Sequence, residues 1–176
     1  MASTLKINNL DTASGTTITI PTGKQVIITD QGGLRVPGTV IQVVENASTT
    51  LFSQGGTSFA DTNLTCTITP KYSNSKVLVM VKQYFTFRTT TSSERVAFTR
   101  ILRGSTEIGQ QANNVVASTS GDHRRGTFAT FDMLDSPNTT SATIYKTQGR
   151  LSDSQADLYY QHDSSRSTMI LMEIAQ

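Results

Sequence analysis

Along this chain apolar and polar positions alternate with period 2 in run after run, and turn residues interrupt the runs. Leu64-Thr-Cys-Thr-Ile-Thr69 alternates cleanly and stops at Pro70, after which Ser73-Asn-Ser75 turns the chain into Lys76-Val-Leu-Val-Met-Val-Lys-Gln-Tyr-Phe-Thr-Phe87. Such alternation presents one apolar face and predicts half-buried strands. The second run is apolar on both faces at its start, which predicts a central strand covered on each side. A strand over residues 40–44 opens the series. Strands over 95–102 and 106–109 flank Arg103-Gly-Ser105, a hairpin turn with a glycine available for positive φ. Residues 110–126 are polar apart from Val115 and Val116 and read as a loop. Further strands are expected over 127–134, 142–148, 157–161 and 168–175, separated by Asp135-Ser-Pro-Asn138 and Ser152-Asp-Ser154. About eight strands at this spacing, with no amphipathic helix among them, predict an all-β fold: an antiparallel β-sandwich, more narrowly a jelly roll.

The first 36 residues differ from the rest, having no aromatic side chain and only short apolar runs. Their spacing repeats. Ile18, Val26 and Leu34 are eight apart, as are Ile20, Ile28 and Val36, and Gly15 and Gly23 keep the same register. Thr16-Thr-Ile-Thr-Ile20 and Gln25-Val-Ile-Ile-Thr29 alternate strictly, with Pro21-Thr-Gly23 and Gln31-Gly-Gly33 as turns, so an extended β-ribbon leader is expected over 1–36 and a head domain over 37–176. A two-stranded ribbon with one apolar edge is marginal in water and needs a partner. That partner is either its own domain or identical copies of the chain; the reading adopted is a stem or docking arm in a homo-oligomer, with those six apolar residues at its interface.

Composition narrows the class. The chain carries 29 Thr and 19 Ser in 176 residues with only 16% charged positions, a bias toward pleated structure and away from a coiled coil. Net charge is +2 and the basic residues are scattered, so no nucleic-acid footprint is expected. Cys66 is the sole cysteine; it alternates with Leu64 and Ile68, which predicts a buried thiol and precludes an intrachain disulfide. No apolar run is long enough to span a bilayer as a helix, and Met1-Ala-Ser-Thr-Leu-Lys6 carries no export signal, so membrane insertion is not expected and synthesis in a cytoplasm is.

No constellation of catalytic residues stands out. His123 and His162 sit in polar contexts with no neighbouring ligand set, so neither metal nor cofactor is expected. The many serines lack a nucleophile-elbow sequence. Asp132 and Asp135 flank a strand end and raise paired acid-base work as an option, against a simpler role for Asp135 in starting a turn by accepting backbone N–H groups. Tyr159-Tyr160 followed by Gln161-His162 is the most suggestive local cluster, because adjacent strand residues face opposite ways and one tyrosine must leave the core. With Arg88, Arg124 and Arg125 in the polar segments 88–94 and 121–126, Tyr159, Tyr160 and His162 form the set of candidate surface-binding residues.

Taken together, the leader Ser3-Thr-Leu-Lys-Ile-Asn-Asn-Leu10 with Thr17-Ile-Thr-Ile-Pro-Thr-Gly23, and the segments Pro37-Gly-Thr-Val-Ile-Gln-Val-Val44, Leu102-Arg-Gly-Ser-Thr-Glu-Ile-Gly109, Asp135-Ser-Pro-Asn-Thr-Thr140 and Ser167-Thr-Met-Ile-Leu-Met-Glu-Ile174, resemble phage virion appendage proteins, in particular short tail fibres of marine and cyanobacterial phages. The resemblance implies a homotrimer whose heads are sandwiches similar to complement C1q and tumour-necrosis-factor domains, contacts with other tail, neck or capsid proteins, and attachment to a host-surface glycan or protein. It carries over no catalytic residue. Against that expectation stand a decoration or cement protein of capsid or neck with the same fold, and a soluble lectin or carbohydrate-active enzyme.

Overall fold

Strand β4, Lys76–Thr89, organises the molecule, because it is long enough to be paired by different strands at its two halves. The computed structural model describes residues 19–30, 33, 35–89, 94–116, 123–154 and 156–176. In chain order the strands are β1 Val40–Ser48, β2 Phe52–Gln54, β3 Ala60–Ile68, β4, β5 Glu94–Arg103, β6 Thr106–Val116, β7 His123–Asp135, β8 Thr143–Leu151, β9 Ala156–Tyr160 and β10 Ser167–Ile174, with one 3₁₀ turn at His162–Ser164. One edge of β4 pairs β10 along residues 76–82 and β9 along 85–89, while its other edge pairs β7 throughout. The resulting six-stranded sheet includes β1 beside β10 and β2 beside β9; β3, β8, β5 and β6 form the second sheet in that order. With the two short strands β2 and β9 set aside, the eight long strands fall in the order first, eighth, third, sixth in one sheet and second, seventh, fourth, fifth in the other. That is the antiparallel double Greek key of a jelly roll.

The core lies between the sheets and is filled by the inward register of each strand: Leu64, Cys66 and Ile68 from β3, Val77, Val79, Val81, Phe85 and Phe87 from β4, and Met169 and Leu171 from β10. Cys66 is buried there, and burial pushes its thiol up. The β5–β6 hairpin turns at Gly104, whose φ of +58° is the conformation anticipated for that glycine.

Four expectations need correction. Residues 110–126 are mostly strand, since β6 runs to Val116 and β7 starts at His123; Thr, Asn, Gln and Arg pair as well as apolar residues where one face meets solvent. The three-residue β2 goes unseen in the sequence because it spans less than two alternation periods. Asp135 turns inward and accepts from Arg103 Nη1 at 2.6 and 2.7 Å and from the Tyr145 hydroxyl at 2.7 Å, instead of capping its own turn. Burial and the Asp135 carboxylate both push the Tyr145 phenol well above its ordinary range. Finally, the expected leader strands do not form among the described residues 19–30, which hold a single turn closed by Lys24 N–H to Pro21 O at 3.0 Å; an isolated ribbon with nothing to pack on has little reason to persist.

Glu173 on β10 is buried yet charged. It accepts the Lys71 N–H at 2.8 Å, the Tyr72 N–H at 3.2 Å and the Gln42 amide at 2.6 Å. Burial alone pushes its carboxyl up, but the Lys71, Gln42 and Tyr72 bonds outweigh it and hold it below the ordinary carboxylate value. A depressed carboxyl stabilises the fold above its unfolded-state range, and that contribution is lost as pH falls through the folded value. Glu173→Gln is therefore expected to cost about 1–3 kcal/mol at neutral pH and to flatten the acid limb of stability, as read by melting temperature between about pH 3 and 7.

Candidate functional site

Alternation sends every second residue of β1, β10, β4 and β7 away from the core, and in part of this sheet several of those residues are also apolar. The registers align them in rows across four strands. Val43, Met172, Leu78 and Leu134 make one row, Glu45, Ile170, Met80 and Asp132 the next, and Val40 and Ile174 continue the first row's side of the field. At about 4.8 Å between strands and roughly 7 Å between rows, the field measures on the order of 15 by 15 Å. Val40, Val43 and Leu134 are 51%, 54% and 52% exposed. No described segment of the chain covers this face.

Here sequence and structure make one point. The run Val77-Leu-Val-Met-Val81 is written for a strand covered on both sides; β4 is central, with Val77, Val79 and Val81 in the core and Leu78 and Met80 half-buried on the outward side. In this field Val40, Val43 and Leu134 are exposed and Leu78, Met80, Ile170 and Met172 half-buried, with Lys76, Lys82, Glu45 and Asp132 at its rim. Above it Tyr84 and Phe128 stack edge to face at 5.2 Å, with the Lys82 ammonium 4.5 Å from the Phe128 ring. The alternation therefore assigns Tyr84 and Phe128 to the outward face, and Phe85, Phe87 and Phe131 to the core. The sequence reading did not single out Val43, Leu78, Met80, Leu134, Ile170 and Met172 as outward-facing residues. Their signal was present in the two-sided apolar runs 77–81 and 169–172.

Of the leader residues expected at an interface, Ile20, Val26, Ile28 and Val36 are exposed, while Ile18 and Leu34 lie outside the described residues. The leader joins the head where Gly38 N–H reaches Ala175 O at 2.9 Å and Arg35 stacks on Tyr72 at 4.4 Å.

The surface-binding candidates divide. Arg88, Arg124, Tyr159 and His162 converge at one end of the same outward face. Arg125 is exposed but belongs to the opposite register, paired with Phe87. Tyr160 was expected as a surface residue and is wholly buried, its hydroxyl 2.9 Å from Thr99 Oγ1, because its register matches Phe85. Asp132 faces outward and Asp135 inward, so the two carboxylates do not form an acid-base pair. Among the described residues no three His, Cys, Asp or Glu side chains are grouped to hold a metal.

No family model and no curated protein matches the chain. Solved structures with similar folds include that of infectious bursal disease virus Gx strain, at TM-score 0.40 and 14% identity over 75% of this chain and 37% of that one. The VP2 subviral particle of infectious bursal disease virus gives TM-score 0.36 and 13% identity over 77% of this chain and 37% of that one. Dimeric latent PorU from Porphyromonas gingivalis gives TM-score 0.37 and 11% identity over 80% of this chain and 14% of that one. The chain thus spans less than two fifths of each of these proteins.

Proposed function

We propose that this chain is a non-enzymatic structural subunit of a virus particle, a short homotrimeric tail fibre of a tailed phage, assembled in the host cytoplasm. Residues 1–36 dock it to neighbouring virion proteins and the 37–176 head meets the host surface. The observation that carries the reading is the bare apolar field on the six-stranded sheet, which self-assembly removes from water; a standard interface buries about 800 Å² per partner. The exposed apolar residues of the leader support the same conclusion. The choice of three copies and of a tailed phage comes from the resemblance of the leader and strand-end segments to short tail fibres. A particle component needs persistence more than turnover, and interlocked β-pairing supplies kinetic stability.

Light scattering on the purified chain tests the assembly. Three copies of the 19.1 kDa chain give about 57 kDa; a species of 19.1 kDa at high concentration overturns the reading. Electron microscopy of the intact particle tests the address. Density on the tail upholds the fibre, and density on shell or neck transfers the same fold to decoration.

A further inference from the structure

Among the described residues, exposed large apolar side chains collect in two places. All but Leu51 and Ile144 lie either on the leader, with Val26, Ile27 and Ile28 in succession, or on the outward face of the six-stranded sheet, with Val43 and Leu134 at its flanks. Residues 19–30 are exposed throughout, and Val26 and Ile27 are 64% and 72% exposed. Successive β-branched residues favour an extended backbone that packs on a surface, yet in the single chain this segment packs on nothing. Taking such side chains out of water is favourable wherever an apolar surface is offered.

Arg35 sets where the leader leaves the head. Its Nη2 donates to Asn74 Oδ1 at 2.8 Å and to Gln176 O at 3.2 Å, and its guanidinium lies 4.4 Å from the centre of the Tyr72 ring. Ala175 N–H closes on Thr39 O at 2.9 Å. Tyr72 and Asn74 belong to the crossing from β3 in one sheet to β4 in the other, so these contacts pin residues 35–39 at the end of the sandwich. From there the chain runs off the head, and Val40 and Val43 stay exposed beside it. Size then favours a narrow occupant for the outward field. At about 15 by 15 Å it offers a footprint of about 200 Å², whereas a stable contact between globular partners buries about 800 Å² on each. Two heads set field to field fall short of that. Residues 24–29, once extended, span about 20 Å and are long enough to cross it.

We propose that the outward apolar field of each head is covered by residues 24–29 from the leader of a neighbouring copy. Val26 and Ile28 share one side of an extended segment and lie over Leu78, Met80, Ile170 and Met172. The leader then joins copy to copy, and the area that the two heads cannot make alone comes from the segment laid between them. The inference rests on the homo-oligomer reading above, and it names the element that holds the copies together.

Spin labelling of the full chain in mixed assemblies tests it. Gln25→Cys places a nitroxide beside the apolar run without altering it, while Cys66 is buried and stays unlabelled. These chains are refolded together with chains that carry no nitroxide and are isotope-labelled at their methyl groups. The nitroxide is expected to broaden the methyl signals of Met80, Ile170 and Met172 in the copies that lack it and to leave Ile144, on the far sheet, sharp. A second variant reads the energetics: Val26→Asp should weaken association at least about tenfold and abolish the broadening, with the melting of the head unchanged because residue 26 is exposed in the single chain. Broadening seen only when nitroxide and methyl labels share one chain, diluted in unlabelled copies, overturns the proposal in favour of the chain's own leader. Association untouched by Val26→Asp overturns it as well. Light scattering on the same samples separates the two readings: several copies with no broadening overturn the leader contact alone, and a single chain at high concentration overturns the homo-oligomer on which it rests.

Discussion

On the proposed self-assembly through the six-stranded sheet, glutamate at both Val43 and Leu134 should give folded monomers. These residues are 54% and 52% exposed and stand at the two ends of one register row. Neither contributes to the core, so in the single chain the change is worth within about 0.5 kcal/mol at each position. In the assembly each new carboxylate is taken out of water among apolar side chains, beside Glu45 and Asp132 in the adjacent row. An uncompensated buried charge costs about 3–5 kcal/mol, or on the order of a hundredfold or more in association per site. Light scattering should therefore report one chain where the unsubstituted protein reports several, with the melting curve of the monomer still cooperative. Ile144 provides the matched control. It is equally exposed, at 50%, but stands on the outward side of the four-stranded sheet, so Ile144→Glu should leave the mass unchanged. Dissociation by Ile144→Glu, or retained association in the double variant, would place the contact elsewhere.

The parts of this molecule legible in the sequence are those where side-chain period and burial coincide. Leu64, Cys66 and Ile68 alternate with threonines and enter the core together; Gly104 occupies the positive φ its turn requires. The run 76–87 announced a two-sided strand, and the sheet shows which of its sides packs in the core and which turns outward. Alternation also required that Tyr159 and Tyr160 part company, yet it carries no absolute sense of direction. That sense comes from the pairing of Tyr160 with Phe85, a contact across 75 positions that no local pattern encodes. The same limit explains the polar strands β6 and β7, whose Thr, Asn and Arg residues are held by ladders to β5 and β4. It also explains the Arg88–Arg124 pair, since two residues 36 apart become neighbours only through register. The leader shows the converse: its alternation is strong, but period without a surface to cover yields no strand among its described residues.

Removing the Tyr160 side chain should be among the most damaging single changes in the head. The ring is wholly buried, 5.9 Å from Phe85 and 6.4 Å from Phe52 between centroids, and from β9 in one sheet it carries its hydroxyl across the sandwich to Thr99 in the other. Tyr160→Ala is expected to cost about 3–5 kcal/mol, a large share of the 5–15 kcal/mol typical of a domain. Gly149 makes the test specific. It pairs with Thr99, and a Cβ there would lie 2.6 Å from Tyr160 Cζ. Both sheets hold that ring, so it has nowhere to retreat, and Gly149→Ala should cost about 1–3 kcal/mol by overpacking. In the Tyr160→Ala background the wall is gone, and the same substitution should be neutral or stabilising by up to about 1 kcal/mol, as alanine is preferred to glycine inside a strand. Burial pushes the Tyr160 phenol up, while its bond to Thr99 works the other way, and the net is a rise. A raised phenol stabilises the fold fully below its unfolded-state value and loses that contribution as pH climbs past it. Tyr160→Phe should therefore soften the alkaline limb of the melting profile. Thermal melts of the four variants in the Gly149 and Tyr160 cycle decide the packing claim: an equal Gly149→Ala cost in both backgrounds would show that the ring is not the wall it meets, and the crossbar role of Tyr160 would fall with it.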